Sequence, residues 1–181
     1  PAIAWAVSLF AAFEAMILTL LPVYCLRQGF SADIALAMVS TVVVGDALLQ
    51  LPIGALADRV SRRALLTGCA VALTLSSLAV PLLIDTLLIW PLWVLFGASA
   101  GGLFTLSLIL IGERYRDDAL VRANAHVAQL WGLGCLIGPL AAGAGSQWIS
   151  GHALPLFMAA GAFGLVILLL RQGAFGATQT A

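Results

Sequence analysis

The charges of this chain are bunched, and the gaps between them limit what it can fold into. No charged residue occurs from Ala64 to Ile84, from Thr86 to Gly112 or from Ala123 to Leu170. A helix crosses the ~30 Å hydrocarbon layer with roughly 20 apolar residues, so the first two gaps predict one crossing each. The third is long enough for two, divided at the turn-forming stretch Gly145-Ser146-Gln147-Trp148-Ile149-Ser150-Gly151-His152, with Pro155 fitting the first turn of the last helix. Upstream, Ala2–Leu26 and Ala32–Ala57 are also long and strongly apolar, each with one acid near its middle, Glu14 and Asp46. The expectation is an all-α membrane protein, a single bundle of six transmembrane helices over 3–26, 32–57, 63–84, 88–112, 122–146 and 153–172.

Composition removes the alternatives. Hydrophobic residues make up 62% of the chain and charged ones 9%, whereas a soluble domain carries about a quarter charged residues. Eight arginines, no lysine and eight acids give a net charge of zero, which excludes the basic surface a nucleic-acid partner requires. The apolar runs are continuous rather than alternating, so they read as helices and not as barrel strands. The first span has no basic segment before it and is too long for a cleaved signal peptide. The chain does not begin with Met, and it reads as a piece of something longer.

Orientation follows from the arginines of the short loops. Arg59, Arg62 and Arg63 lie between spans two and three, Arg114, Arg116 and Arg122 between four and five, and Arg171 follows span six. The other side has only Arg27. Both termini are therefore expected in the cytoplasm. Arginine without lysine, beside abundant Ala, Leu and Gly, suggests a GC-rich bacterial genome, and a multi-pass helical protein of a bacterium is expected in the inner membrane. Cys25, Cys69 and Cys135 occur singly, without metal-ligand spacing, and read as small apolar packing residues; neither a metal nor a cofactor is expected.

The most informative segment is Gln50-Leu51-Pro52-Ile53-Gly54-Ala55-Leu56-Ala57-Asp58-Arg59-Val60-Ser61-Arg62-Arg63. Gly54 is suited to a close helix approach, Asp58 to accepting from the free amides of the third helix or pairing with an arginine, and Ser61 to capping that helix. Arginines alone are ordinary in a cytoplasmic loop; the spacing Gly-x-x-x-Asp-Arg-x-x-Arg-Arg is not. It resembles the signature loop of the major facilitator superfamily, with Gly54, Asp58, Arg59, Arg62 and Arg63 on its positions and Ser61 where the family has glycine. That serine lacks the left-handed freedom of glycine, so the turn is expected to be capped differently. In the fifth span, Gly132-Leu133-Gly134-Cys135-Leu136-Ile137-Gly138-Pro139-Leu140-Ala141-Ala142-Gly143 resembles the glycine-rich, Gly-Pro-containing fifth helix of the same superfamily. Gly134, Gly138 and Ala142 form a narrow ridge, with Gly143 beside it, and Pro139 invites a kink. Glu113-Arg114-Tyr115-Arg116-Asp117-Asp118 closes the fourth span in a manner also similar to the family.

The resemblance covers nearly the whole chain and is strongest to the C-terminal half of a bacterial member from the drug-exporter-like branches, hence efflux. It implies half of a twelve-helix carrier, folded as a three-plus-three inverted repeat and working by alternating access against an N-terminal six-helix half. The implied partners are that half, a small-molecule substrate, H⁺ and the lipid bilayer. In the resembled fold the first helix of each half lines the central cavity, and the second and fifth helices meet the other half.

An ionisable group at mid-bilayer costs ~2.5–3.5 kcal/mol on insertion scales and is a functional candidate by default. Glu14 should lie near the midplane with Phe10, Ile17, Leu18 and Leu21 on its face; it is the candidate for proton coupling or for holding a cationic group, against a structural acid turned to a neighbouring helix. Asp46, Gln50, Gly54 and Asp58 recur every four residues, a polar ridge that cannot face lipid; pairing and packing suit Asp46 better than the cavity edge. His126 and Gln129 read as amphipathic interface residues rather than a relay, and Trp5, Trp90, Trp93, Trp131 and Trp148 as interface anchors. No arginine sits at mid-span to meet an anionic substrate.

Two other classes compete. An intramembrane serine protease is suggested by Gly97-Ala98-Ser99-Ala100-Gly101, but the sixth span contains no histidine to act as base, and Gly97 and Gly101 read better as a helix contact. A non-transporting scaffold or assembly subunit would need no midplane acids and would usually present a long loop, and every loop here is short. The reading is a carrier half and not an enzyme.

Overall fold

The computed structural model describes residues 2–148 and 151–177, and the side chains of 2–145 and 151–171. The described residues are helical, with short connections: α1 Ala2–Thr19, α2 Leu21–Arg27, α3 Ala32–Ala57, α4 Arg62–Leu83, α5 Ile89–Arg114, α6 Asp117–Trp148 and α7 Ala153–Ala177. Six of these are long and apolar enough to cross a membrane, α2 alone being too short. It continues α1 as the C-terminal end of the first span. The interruption at Leu20 precedes Pro22, which has no N–H to give to the preceding turn and sits in the first turn of α2.

Charged residues proved poor helix boundaries. The fifth span starts at Asp117 rather than at the expected position 122. Asp117 and Asp118 occupy its first turn, where acids meet the positive end of the helix dipole. A charge excludes a residue from hydrocarbon but not from a helix that runs on into the headgroups. At its other end α6 continues through Gly145-Ser146-Gln147 to Trp148, shortening the expected turn, of which Ile149 and Ser150 lie outside the described residues. α6 also runs unbroken through Pro139, as α3 does through Pro52 and α4 through Pro81.

The most extensive contacts run between α3 and α5 and between α1 and α6, followed by α4 with α5 and with α7. Further contacts join α1 to α5 and to α7. If the first three spans are exchanged for the last three, α1·α6 becomes α5·α3 and α4·α5 becomes α7·α1, while α4·α7 and α1·α5 map onto themselves. This is the pairing of a three-plus-three repeat. Because each repeat crosses three times, the second starts on the opposite side and is inverted.

Glycine makes the two most extensive contacts possible. A Cβ on Gly97 would strike the Val42 carbonyl of α3, and one on Gly45 would strike the Val94 backbone of α5. On the other pair, Gly134 and Gly138 lie against Ser8 and Ala12 of α1, and Ala142 is buried. The ridge expected on the fifth span is therefore a helix contact as far as Ala142. Gly143 points elsewhere, and a Cβ there would meet nothing within 4 Å. Gly54 is likewise open, with nothing within 4 Å of its would-be Cβ; the close approach anticipated there is not made among the described residues.

α1 and α5 form the centre. Phe13, Leu73, Trp93, Phe96, Leu103, Leu106 and Leu165 are buried among them and their neighbours. Most of α3 and of α6 is left uncovered by the other described residues. Leu48, Leu51, Leu136, Ile137 and Leu140 stand out from these two helices, an apolar surface far too extensive to face water.

Candidate functional site

The site begins with the only acid of α1. Glu14 lies within that helix, one turn after Phe10 and one before Leu18, and these three residues line a cleft of about 170 Å³ together with Phe13 and Ile17. α3 contributes Val42, Val43 and Asp46 to the opposite wall, and α5 closes the floor with Phe96, Gly97 and Ala100. The two mid-span acids, carried by different helices, thus share one largely apolar cleft that holds no basic residue. Of the face expected for Glu14, Phe10, Ile17 and Leu18 are in the lining; Leu21 is instead wholly buried in the core.

The two acids are held differently. Gln50 donates from Nε2 to Oδ1 of Asp46 at 2.7 Å, one turn along α3. On the α5 side the Asp46 carboxylate lies against Gly101, where a Cβ would collide with Oδ1. Asp46 is therefore tied to its own helix and seated by a glycine of the next. Glu14 is exposed on this chain and makes no hydrogen bond or ion pair among the described residues.

At one end of the bundle the loop between α3 and α4 forms a second constellation. Asp58 is the C-cap of α3, and Ser61 caps α4, its hydroxyl accepting from the Ala64 amide at 3.5 Å. The capping role expected of Ser61 thus stands where the resembled motif has glycine. Asp58 pairs with Arg62 across 3.7 Å, and the same guanidinium meets Oε1 of Glu113 at the end of α5. Arg62 therefore ties three helix ends together. Arg59 and Arg63 are exposed without an ion pair among the described residues. Glu113 was visible in the sequence only as a span-closing acid; its partner lies two spans upstream, beyond the reach of spacing.

The tryptophans divide in a way that end-of-span position does not reveal. Trp5 is about half exposed and donates from its indole to the Gly161 carbonyl at 3.3 Å. Trp93 is buried against Phe96, and Trp131 stands near the middle of α6 in a trio with Phe10 and Phe104, centroids 5.0–5.3 Å apart. For those two the anchor reading is corrected to core packing. The lengthening of α6 is the reason for Trp131. The side chain of Trp148 lies outside the described residues. Ser99 is buried and donates to the Leu95 carbonyl at 2.7 Å, so its hydroxyl is spent on its own helix. His126 is exposed and bonded to the Arg122 carbonyl at 2.8 Å. Among the described residues no group of three or more metal-ligating side chains comes together.

The sequence model of the Major Facilitator Superfamily matches residues 3–178. This chain belongs to the Major Facilitator Superfamily. Its relatives carry the same family name: an uncharacterized MFS-type transporter, YfkF, of Bacillus subtilis (strain 168) is 26% identical over 122 residues, covering 67% of this chain and 31% of the relative. YcaD of Escherichia fergusonii, also an uncharacterized MFS-type transporter, is 28% identical over 153 residues, covering 84% of this chain and 39% of its own. The chain thus spans less than two fifths of the relatives it matches, in keeping with a six-helix portion of a superfamily transporter. Membership carries with it transport across a membrane as the general function of the family, and multi-pass insertion agrees with the six apolar helices.

Proposed function

We propose that the chain is one half of a proton-coupled secondary transporter of a small molecule, operating by alternating access in a bacterial inner membrane, with Glu14 as the coupling carboxyl. The observation that carries this reading is the placement of Glu14, unbonded among the described residues, opposite Asp46 in an aromatic-walled cleft. A carboxyl kept in an apolar layer at a cost of ~2.5–3.5 kcal/mol has a use there. The cleft measures about 170 Å³, smaller than the roughly 300 Å³ at which small-molecule pockets begin. It is one wall of a site, and the facing wall belongs to the N-terminal half. Two acids and no base in the lining suit a proton or a cationic group and disfavour an anion.

The apolar faces of α3 and α6 marked by Leu48, Leu51, Leu136, Ile137 and Leu140 are where that other half packs, and the open side of Gly54 points to the same partner. Asp58, Arg59, Arg62 and Arg63 form the cytoplasmic gate, the Arg62 contacts closing one end of the bundle when the opposite end is open. Seven arginines on that side against one on the other support this orientation, with both ends of the segment inside.

The experiment is transport by the intact carrier in proteoliposomes, driven by a pH gradient. Glu14→Gln keeps size and hydrogen-bonding capacity but cannot exchange a proton. It should abolish gradient-driven accumulation while leaving downhill exchange of substrate measurable. Gradient-driven transport at the wild-type rate would defeat the coupling role.

A further inference from the structure

A second cleft, of about 710 Å³, opens between the start of α1, the end of α5 and the start of α6. It shares no residue with the Glu14 cleft, and its volume falls within the roughly 300–1,000 Å³ of small-molecule sites. Its lining divides by chemistry and exposure: Ile3, Val7, Ile111, Val127 and Leu130 are buried or half-buried apolar residues, while Arg114, Arg122 and His126 are exposed.

The charge of these arginines is uncompensated. Glu113, adjacent to Arg114 in sequence, is turned away and held by Arg62. Asp117 and Asp118, in the first turn of α6, do not line the cleft. Arg114 and Arg122 make no ion pair among the described residues, and the His126 ring bonds to a carbonyl of its own helix. Two exposed arginines lining one otherwise largely apolar cleft that no acid lines call for a ligand that is anionic at one end and aliphatic at the other.

From this juxtaposition we infer that the cleft binds an anionic phospholipid, its phosphate between Arg114 and Arg122 and an acyl chain along Ile3, Val7 and Leu130. Guanidinium groups match phosphate oxygens in pairs, and basic pockets between transmembrane helices are suited to anionic headgroups. The placement in the inner leaflet follows from the orientation proposed above; the binding itself depends neither on that orientation nor on Glu14. A free organic phosphate would satisfy the arginines equally but would leave the apolar lining bare, which is the basis for choosing the lipid.

The test is a thermal-shift titration of the intact, delipidated carrier in detergent with short-chain phosphatidylglycerol, phosphatidylcholine and glycerol phosphate as probes. Phosphatidylglycerol should raise the melting temperature saturably, and more weakly at high salt; the other two should not. Each arginine near a headgroup is worth about fivefold in affinity, so Arg122→Gln should weaken the apparent affinity about fivefold and Arg114→Gln with Arg122→Gln about thirtyfold. The single variant serves if the double one does not fold. The same variants should leave the pH dependence of transport at saturating lipid unchanged. An undiminished response in a folded variant, or glycerol phosphate matching phosphatidylglycerol, would overturn the assignment.

Discussion

Arg62 shows how much one side chain can hold with little energy. Its partners are partly exposed, with Asp58 at 77% and Glu113 at 45% side-chain accessibility, and ion pairs in such settings contribute about 0.2–1 kcal/mol each. A double-mutant cycle of Arg62→Gln and Glu113→Gln, read by thermal unfolding of the intact carrier, should therefore return a coupling below about 1 kcal/mol. The effect on gating should be larger than that, because in the proposed gate the pair joins helix ends that separate when that end opens. Asp58→Asn is expected to shift the conformational balance toward the open end, measured by inter-helix distance distributions. An unchanged distribution together with unchanged transport would count against the gate. The acid at position 46 and the amide at position 50 were legible from their spacing of four. That Asp46 also rests on Gly101 was not, since nothing in a sequence says which helix a carboxylate will face.

Among the elements, glycine decides which helices touch. Gly→Ala in an unconstrained helix is favourable by about 1 kcal/mol, whereas at Gly97 and Gly138 the new methyl would meet backbone atoms that cannot step aside. Gly97→Ala and Gly138→Ala should each destabilise by about 1–3 kcal/mol, and Gly68→Ala and Gly112→Ala, where the space is open, should not destabilise the fold. Denaturant unfolding of the four variants separates the groups; equal behaviour would mean that the α3–α5 and α1–α6 contacts are looser than described. The existence of six spans was readable because charge-free runs report on the solvent. Their pairing was readable in part, through the Gly134 and Gly138 ridge. The ends were not, since α6 carries Asp117, Asp118 and Arg122 within it, and Trp131 was misjudged for the same reason. Gly97 and Gly101 were recognisable as a contact ridge by their spacing, but their partner, α3, had to come from the structure.

At the scale of the whole molecule, the chain is a bundle with two sides left uncovered. Beside a repeat-symmetric core built on α1 and α5, Glu14 of α1 and Asp46 of α3 share one cleft, and α3 and α6 flank the core with apolar faces that the described residues do not cover. Expressed alone and reconstituted, the chain should insert but give no accumulation above protein-free vesicles; accumulation would require the proposed second half to be dispensable. The account stands on alternating access of the Glu14 cleft, and the most direct measurement is the reactivity of a single cysteine within it. Leu18 is 55% exposed and lines the cleft. In the intact carrier, with Cys25, Cys69 and Cys135 replaced, Leu18→Cys should react with a membrane-impermeant maleimide added from either side, the favoured side reversing when the pH gradient is reversed. Reaction from one side only, indifferent to the gradient, would contradict it.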